Sequence, residues 1–153
     1  MHRLISWLAV VIWMAVIFNL SGQIAEQSNQ LSTGVTEVVI KAVEQVAPKA
    51  EIDTRSLNHI IRKNAHFFSY LVLGLLAMNA FRRCGNTVKL SLVLSSFLCV
   101  IYAVSDEIHQ SYVPGRSAQI TDVLIDSFGA GIGLLVYWLV SSVYTRHRKR
   151  HGS

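Results

Sequence analysis

LISWLAVVIWMAVIFNL, residues 4–20, contains no charged side chain and only two polar ones, Ser6 and Asn19. An α-helix rises about 1.5 Å per residue, and a bilayer core about 30 Å thick takes roughly 20 largely apolar residues to cross. A run this apolar has no polar face to offer water. Residues 88–104, VKLSLVLSSFLCVIYAV, are as apolar apart from Lys89 at the start. Two further runs, 65–81 and 120–143, are apolar except near one end. A soluble all-α bundle would need charged faces on its helices, and the first and third runs have none. The reading is therefore all-α: a polytopic membrane bundle of four transmembrane helices in a single domain spanning 1–153.

Composition agrees. Of 153 residues, 15% are charged and 52% hydrophobic, against about 25% charged in an ordinary soluble domain. The net charge of +5 does not form a patch on a soluble face, so no nucleic-acid partner is expected. Cys84 and Cys99 fall at different depths and should not pair. Arg3 followed by an apolar core has the look of a signal peptide. No small-residue cleavage site precedes Asn19-Leu20-Ser21, however, and the segment is read as a retained helix.

Lysine and arginine set the orientation. With both termini cytoplasmic, Arg3, then Arg82, Arg83 and Lys89, then Arg146, Arg148, Lys149 and Arg150 lie inside. These inner pieces are short and purely basic. Lys41, Lys49, Arg55, Arg62, Lys63 and Arg116 lie outside, together with all nine acidic residues. The chain is expected to cross a cell membrane several times, with the basic tail against anionic headgroups on the cytoplasmic side. The one long loop, 21–64, is outer. Within it Leu31, Val35, Val38, Val39, Ala42, Val43 and Val46 recur at helical spacing, which predicts an amphipathic helix on the outer leaflet or capping the bundle.

This topology carries three polar stretches to one end of the bundle. RKNAH at 62–66 opens the second helix, and His59, Lys63, His66 and Tyr70 make one stripe. SDEIHQ at 105–110 closes the third, with Asp106, His109 and Gln110 on a shared face and Glu107 a quarter-turn away. Asp122 and Asp126 stand one turn apart on the fourth, so that Asp126 lies about 6 Å deeper. An ionisable group at mid-bilayer costs roughly 2.5–3.5 kcal/mol on insertion scales. Asp126 therefore wants a partner, and Lys63, His66, His109 and Arg116 are the candidates. Pro114-Gly115 predicts a tight turn that holds Arg116 over the cluster, its planar fork suited to phosphate or carboxylate. Gly129 and Gly133 form a GxxxG face, assigned to packing within the bundle. The histidines and carboxylates are also suitable donors for a divalent ion, but no compact signature such as HExxH is present. A metal is the weaker expectation, and no cofactor is assigned.

RKNAHFFSY at 62–70, SDEIHQSYVPGR at 105–116, and Asp122 with Asp126-Ser-Phe-Gly129 resemble the VanZ-like membrane protein family. Ser21-Gly22-Gln23, leaving the first helix, fits it as well. The resemblance covers nearly the whole chain and implies an integral membrane protein of bacterial type. It points to Lys63, His66, Asp106, Glu107, His109, Gln110, Arg116, Asp122 and Asp126 as the positions where that family is most uniform. The family is named for a member linked to low-level resistance to the glycopeptide teicoplanin, a property that does not pass to this chain by membership alone.

Two functions are expected from this set, with a third beside them. In the first, an enzyme acts at the outer interface on a lipid-linked or cell-envelope substrate bearing an anionic group. His109, oriented by Asp106 or Glu107, works with His66 in acid–base chemistry, while Lys63, Arg116, Gln110, Asp122 and Asp126 contact the substrate. In the second, the same groups bind a lipid headgroup or glycopeptide without turnover. The third is a structural or proton-relay role.

Overall fold

The computed structural model describes residues 1–23, 33–36, 38–40, 53–116 and 118–151. Its principal elements are four helices: α1 (His2–Ser21), α2 (Thr54–Arg83), α3 (Val88–Ser111) and α4 (Ile120–His151). All four are long and apolar enough to cross a membrane, and no strand occurs among the described residues.

Each helix starts and stops for local reasons. Thr87 caps α3, its hydroxyl accepting the Leu90 amide at 3.3 Å. The preceding turn is made by Gly85 at φ +93°, a conformation that a side chain would oppose. Side-chain contacts fix the direction of the chain. Trp7 meets Phe81 edge-on and donates to Cys84 Sγ at 3.4 Å, so the start of α1 lies beside the end of α2. Trp13 donates to the Ser69 carbonyl at 2.8 Å, and Tyr102 to the Met14 carbonyl at 2.6 Å. The helices therefore run up-down-up-down. α2 packs against the other three, most extensively against α4.

The distribution of side chains is that of a lipid-facing bundle. Leu4, Leu8, Val11 and Ile12 on α1, and Val93, Phe97, Val100 and Ile101 on α3, are exposed. Water would not tolerate that surface; hydrocarbon does. Small residues fill the interior instead: Ala77, Ala80, Ser91, Ser95, Cys99 and Ala103 are fully buried. Small side chains let helices approach closely where lipid provides no hydrophobic drive for association. The closest seam is between α2 and α4. A Cβ on Gly74 would lie 2.5 Å from the Ala130 carbonyl oxygen, and one on Gly129 or Gly133 would collide with the backbone of Phe67 or Leu71. The GxxxG pair thus packs inside the bundle, while Gly131 faces open space. Both cysteines are free.

Two helices outrun the spans read from hydropathy. α2 begins at Thr54, not near 65, and α3 continues past 104 to Ser111. Hydropathy marks the apolar thickness, but backbone hydrogen bonding continues beyond it. Leu57, Ile60 and Ile61 keep a partial apolar face on the first turns of α2. In the loop after α1, residues 33–36 and 38–40 are helical; the rest of the amphipathic helix expected there lies outside the described residues.

Candidate functional site

The end of the bundle where α1 finishes and α4 begins holds nearly all its buried charge. Asp106, Glu107, Gln110 and Asp126 are each less than a tenth exposed, and the three carboxylates are the buried charges among the described residues.

Five elements build the site. The last turn of α1 brings Ser21, whose hydroxyl donates to Asp106 Oδ2 at 2.8 Å. Gln110, one turn along α3, donates to the same oxygen at 3.3 Å. Both donors hold one edge of the carboxylate and leave Oδ1 buried without a partner among the described residues. Glu107 accepts the backbone N–H of Gln119, which ties the end of α3 to the start of α4. The chain between them turns at Pro114-Gly115: the Arg116 amide donates to the Val113 carbonyl at 3.1 Å, and Gly115 takes φ +78° as a type II turn requires. That turn aims Arg116 back into the bundle, where its guanidinium donates to the Ser21 carbonyl at 3.1 Å. Its Nε is buried and has no partner among the described residues. Burial first, then repulsion from Arg62, holds the Arg116 pKa below the usual arginine range, against the pull of Asp106, Glu107 and Asp122. An arginine does not give up its proton under such pressure. It stays a cation that no carboxylate pairs directly among the described residues.

From α2 come Lys63 and His66. Lys63 sits 3.5 Å from Asp122, and His66 Nδ1 sits 3.5 Å from Asp126 Oδ1. The stripe read from spacing thus faces α4, with Tyr70 fully buried beneath it and His59 exposed above. His66, Asp106 and Asp126, from three different helices, each place a nitrogen or oxygen within 4.8 Å of the others.

His109 borders the cluster, near enough for its charge to act on Asp106. Its ring stacks on Phe18 of α1 at 4.1 Å between centroids and 16° between planes, and its Nδ1 has no partner among the described residues. His66 takes the place against the carboxylates that the shared face of Asp106 and His109 had implied for His109. A further residue belongs here that spacing passed over. Arg62 lines the same hollows as Arg116 and makes no ion pair among the described residues. The signal was present, since Arg62 precedes His66 by one helical turn; the stripe through Lys63 masked it.

Two hollows meet at these groups. One, of about 230 Å³, is mainly apolar, walled by Ile17, Leu20, Val35 and Ile61. The other, about 80 Å³, is polar and bounded by Gln110, Gln119 and Asp122. Arg62, His66 and Arg116 line both.

A family model described as VanZ/LLP1 matches residues 6–141. The chain belongs to the VanZ/LLP1 family. The match takes in most of all four helices and every residue of the site described above. With four helices fit to cross a bilayer, it is a multi-pass membrane protein. No curated protein and no solved structure matches the chain.

Proposed function

We propose that this protein takes an amphiphile with an anionic headgroup from the extracytoplasmic side of the bacterial cytoplasmic membrane and acts on it by hydrolysis or group transfer. Lipid-linked and cell-envelope intermediates are substrates of that chemistry. One observation carries the reading: Arg62 and Arg116 stand together where an apolar hollow opens into a polar one, and neither is paired with a carboxylate among the described residues. Two guanidinium groups side by side repel each other, and an oxyanion between them removes that cost. The apolar hollow then receives the start of the hydrocarbon chain. The His66–Asp106–Asp126 cluster lies beside a headgroup so held, because His66 lines both hollows. Gln110 and Asp122 contact the headgroup from the polar side, and Lys63 positions Asp122. His109 supports the site by packing α3 on α1. The outer location rests on charge: Arg82, Arg83 and Lys89 at the α2–α3 connection, and the basic tail after α4, mark the opposite end as cytoplasmic.

Purified protein in nanodiscs should bind a short-chain phosphatidic acid in preference to a phosphatidylcholine of equal chain length, and bind inorganic phosphate far more weakly. A charge-assisted hydrogen bond contributes about 1.5–3 kcal/mol, so Arg62→Gln and Arg116→Gln should each weaken that binding by about tenfold or more. Equal binding of the two lipids, or indifference to both substitutions, would sink the proposal. Asp126→Asn separates action from binding. If it abolishes in-cell function while lipid binding persists, the site is an enzyme's; parallel loss of both favours a binding protein without turnover.

A further inference from the structure

Asp106 and Asp126 pose a problem of charge. They are 2% and 1% exposed, their oxygens and a His66 nitrogen lie within 4.8 Å of one another, and neither forms an ion pair with a lysine or arginine among the described residues. His66, even when protonated, carries one positive charge against two carboxylates in a region of low dielectric. Such a group is retained only if something neutralises it.

The unspent atoms say what is missing. Asp106 Oδ2 is held by Ser21 and Gln110, while Asp106 Oδ1, also buried, accepts nothing among the described residues. Asp126 Oδ1 faces His66 across 3.5 Å and accepts no hydrogen bond among the described residues. The hydroxyl of Tyr70, fully buried one turn from His66, is also without a partner among them. A carboxylate with one oxygen fixed by protein donors and the other left bare is how a metal-ligating carboxylate is oriented, its outer partners setting the aim of the inner atom.

We propose that His66, Asp106 and Asp126 are three protein ligands of a divalent first-row cation, Zn²⁺ or Mn²⁺. One imidazole nitrogen with two carboxylate oxygens suits these ions, and two negative charges balance the ion's charge. A tetrahedral ion with bonds of about 2.0–2.1 Å spaces its ligands about 3.4 Å apart. His66 and Asp126 already stand at 3.5 Å, and no pair has to close by more than about 1.4 Å from the 4.8 Å bound, which side-chain rotation supplies. Three protein ligands leave a position free. Because His66 lines both hollows, that position opens toward them, where a water or a headgroup oxygen completes the shell. The site is independent of the lipid reading, since the ion binds with no amphiphile present.

The test uses the full chain, purified in detergent, stripped with a chelator and dialysed against Zn²⁺ or Mn²⁺. About one tightly held ion per chain is expected, with affinity lowered at least tenfold in His66→Gln, Asp106→Asn and Asp126→Asn, and unchanged in His59→Gln. Circular dichroism and gel filtration establish that each variant is folded. Wild-type protein that takes up no ion overturns the proposal. So does uptake that survives all three ligand substitutions, which would place the ion elsewhere. Should the variants fail to fold, Co²⁺ in the wild-type protein decides. An intense visible spectrum of a four- or five-coordinate ion supports the site, and the weak spectrum of hydrated Co²⁺ refutes it.

Discussion

Alanine at Gly133 should unsettle the bundle, while alanine at Gly131, two residues away on the same helix, should not. On α4 a Cβ at Gly131 meets nothing within 4 Å, whereas one at Gly133 runs into the carbonyl of Leu71. Gly74, reaching across the same seam from α2, gives the scale: its Cβ would stand 2.5 Å from the Ala130 carbonyl oxygen, about 1 Å inside the usual contact distance. The obstacle is backbone in each case, so no rotamer change relieves it. Overpacking of this kind costs about 1–3 kcal/mol, and an immovable neighbour puts Gly133→Ala at the upper end. Gly131→Ala gains up to about 1 kcal/mol of helix propensity. Gly133→Ala gains the same propensity, so the two variants should differ by the overpacking cost alone, about 1–3 kcal/mol. Equilibrium unfolding in mixed micelles with increasing sodium dodecyl sulfate, followed by tryptophan fluorescence, measures the difference. Equal midpoints for the two variants would refute the seam. Gly129, one turn below Asp126, ties the seam to the site. Gly129→Ala should pry α4 from α2 at Phe67 and weaken whatever the His66–Asp126 pair holds.

Two more predictions concern individual side chains. Lys63→Met alone leaves Asp122, 17% exposed, without its cation and should destabilise by about 1–3 kcal/mol, discounted from the cost of a fully buried pair; adding Asp122→Leu should restore most of the loss, and a strictly additive double variant would show that the pair does not interact. His109→Phe keeps a ring stacked on Phe18 and should preserve both folding and in-cell function, whereas His109→Ala should lower stability by opening the gap between α1 and α3. Loss of function in a well-folded His109→Phe variant would show that the ring nitrogens are needed chemically.

How far the sequence reached depended on which physical constraint was visible in one dimension. The apolar runs were, because a bilayer reads length and hydropathy directly, and the structure supplies four helices at those places. Pro114-Gly115 was legible because the turn requires a residue tolerant of positive φ, and Gly129 with Gly133 because close helix approach requires the absence of a Cβ. Helix rotation was not legible. Asp106 and His109 are three residues apart and share a face to within about 60°, enough for one to reach the core and the other to lie on Phe18. Adjacent Arg62 and Lys63 raise the same difficulty. Both border the site, but Lys63 turns to Asp122 and Arg62 toward Arg116, and only packing against α4 and α1 separates them. The early start of α2 was hidden for a different reason: its first turns are too polar to register as membrane and too apolar to register as loop.

The functional account stands on the polar end of the bundle facing away from the cytoplasm. In a background carrying Cys84→Ser and Cys99→Ser, Gln119→Cys reports on that end and Asn86→Cys on the other. A membrane-impermeant maleimide applied to intact cells should modify Gln119→Cys at once and reach Asn86→Cys only after the membrane is opened. The reverse order of labelling would place the arginine pair and the carboxylate cluster on the cytoplasmic side, and an extracytoplasmic substrate would be ruled out.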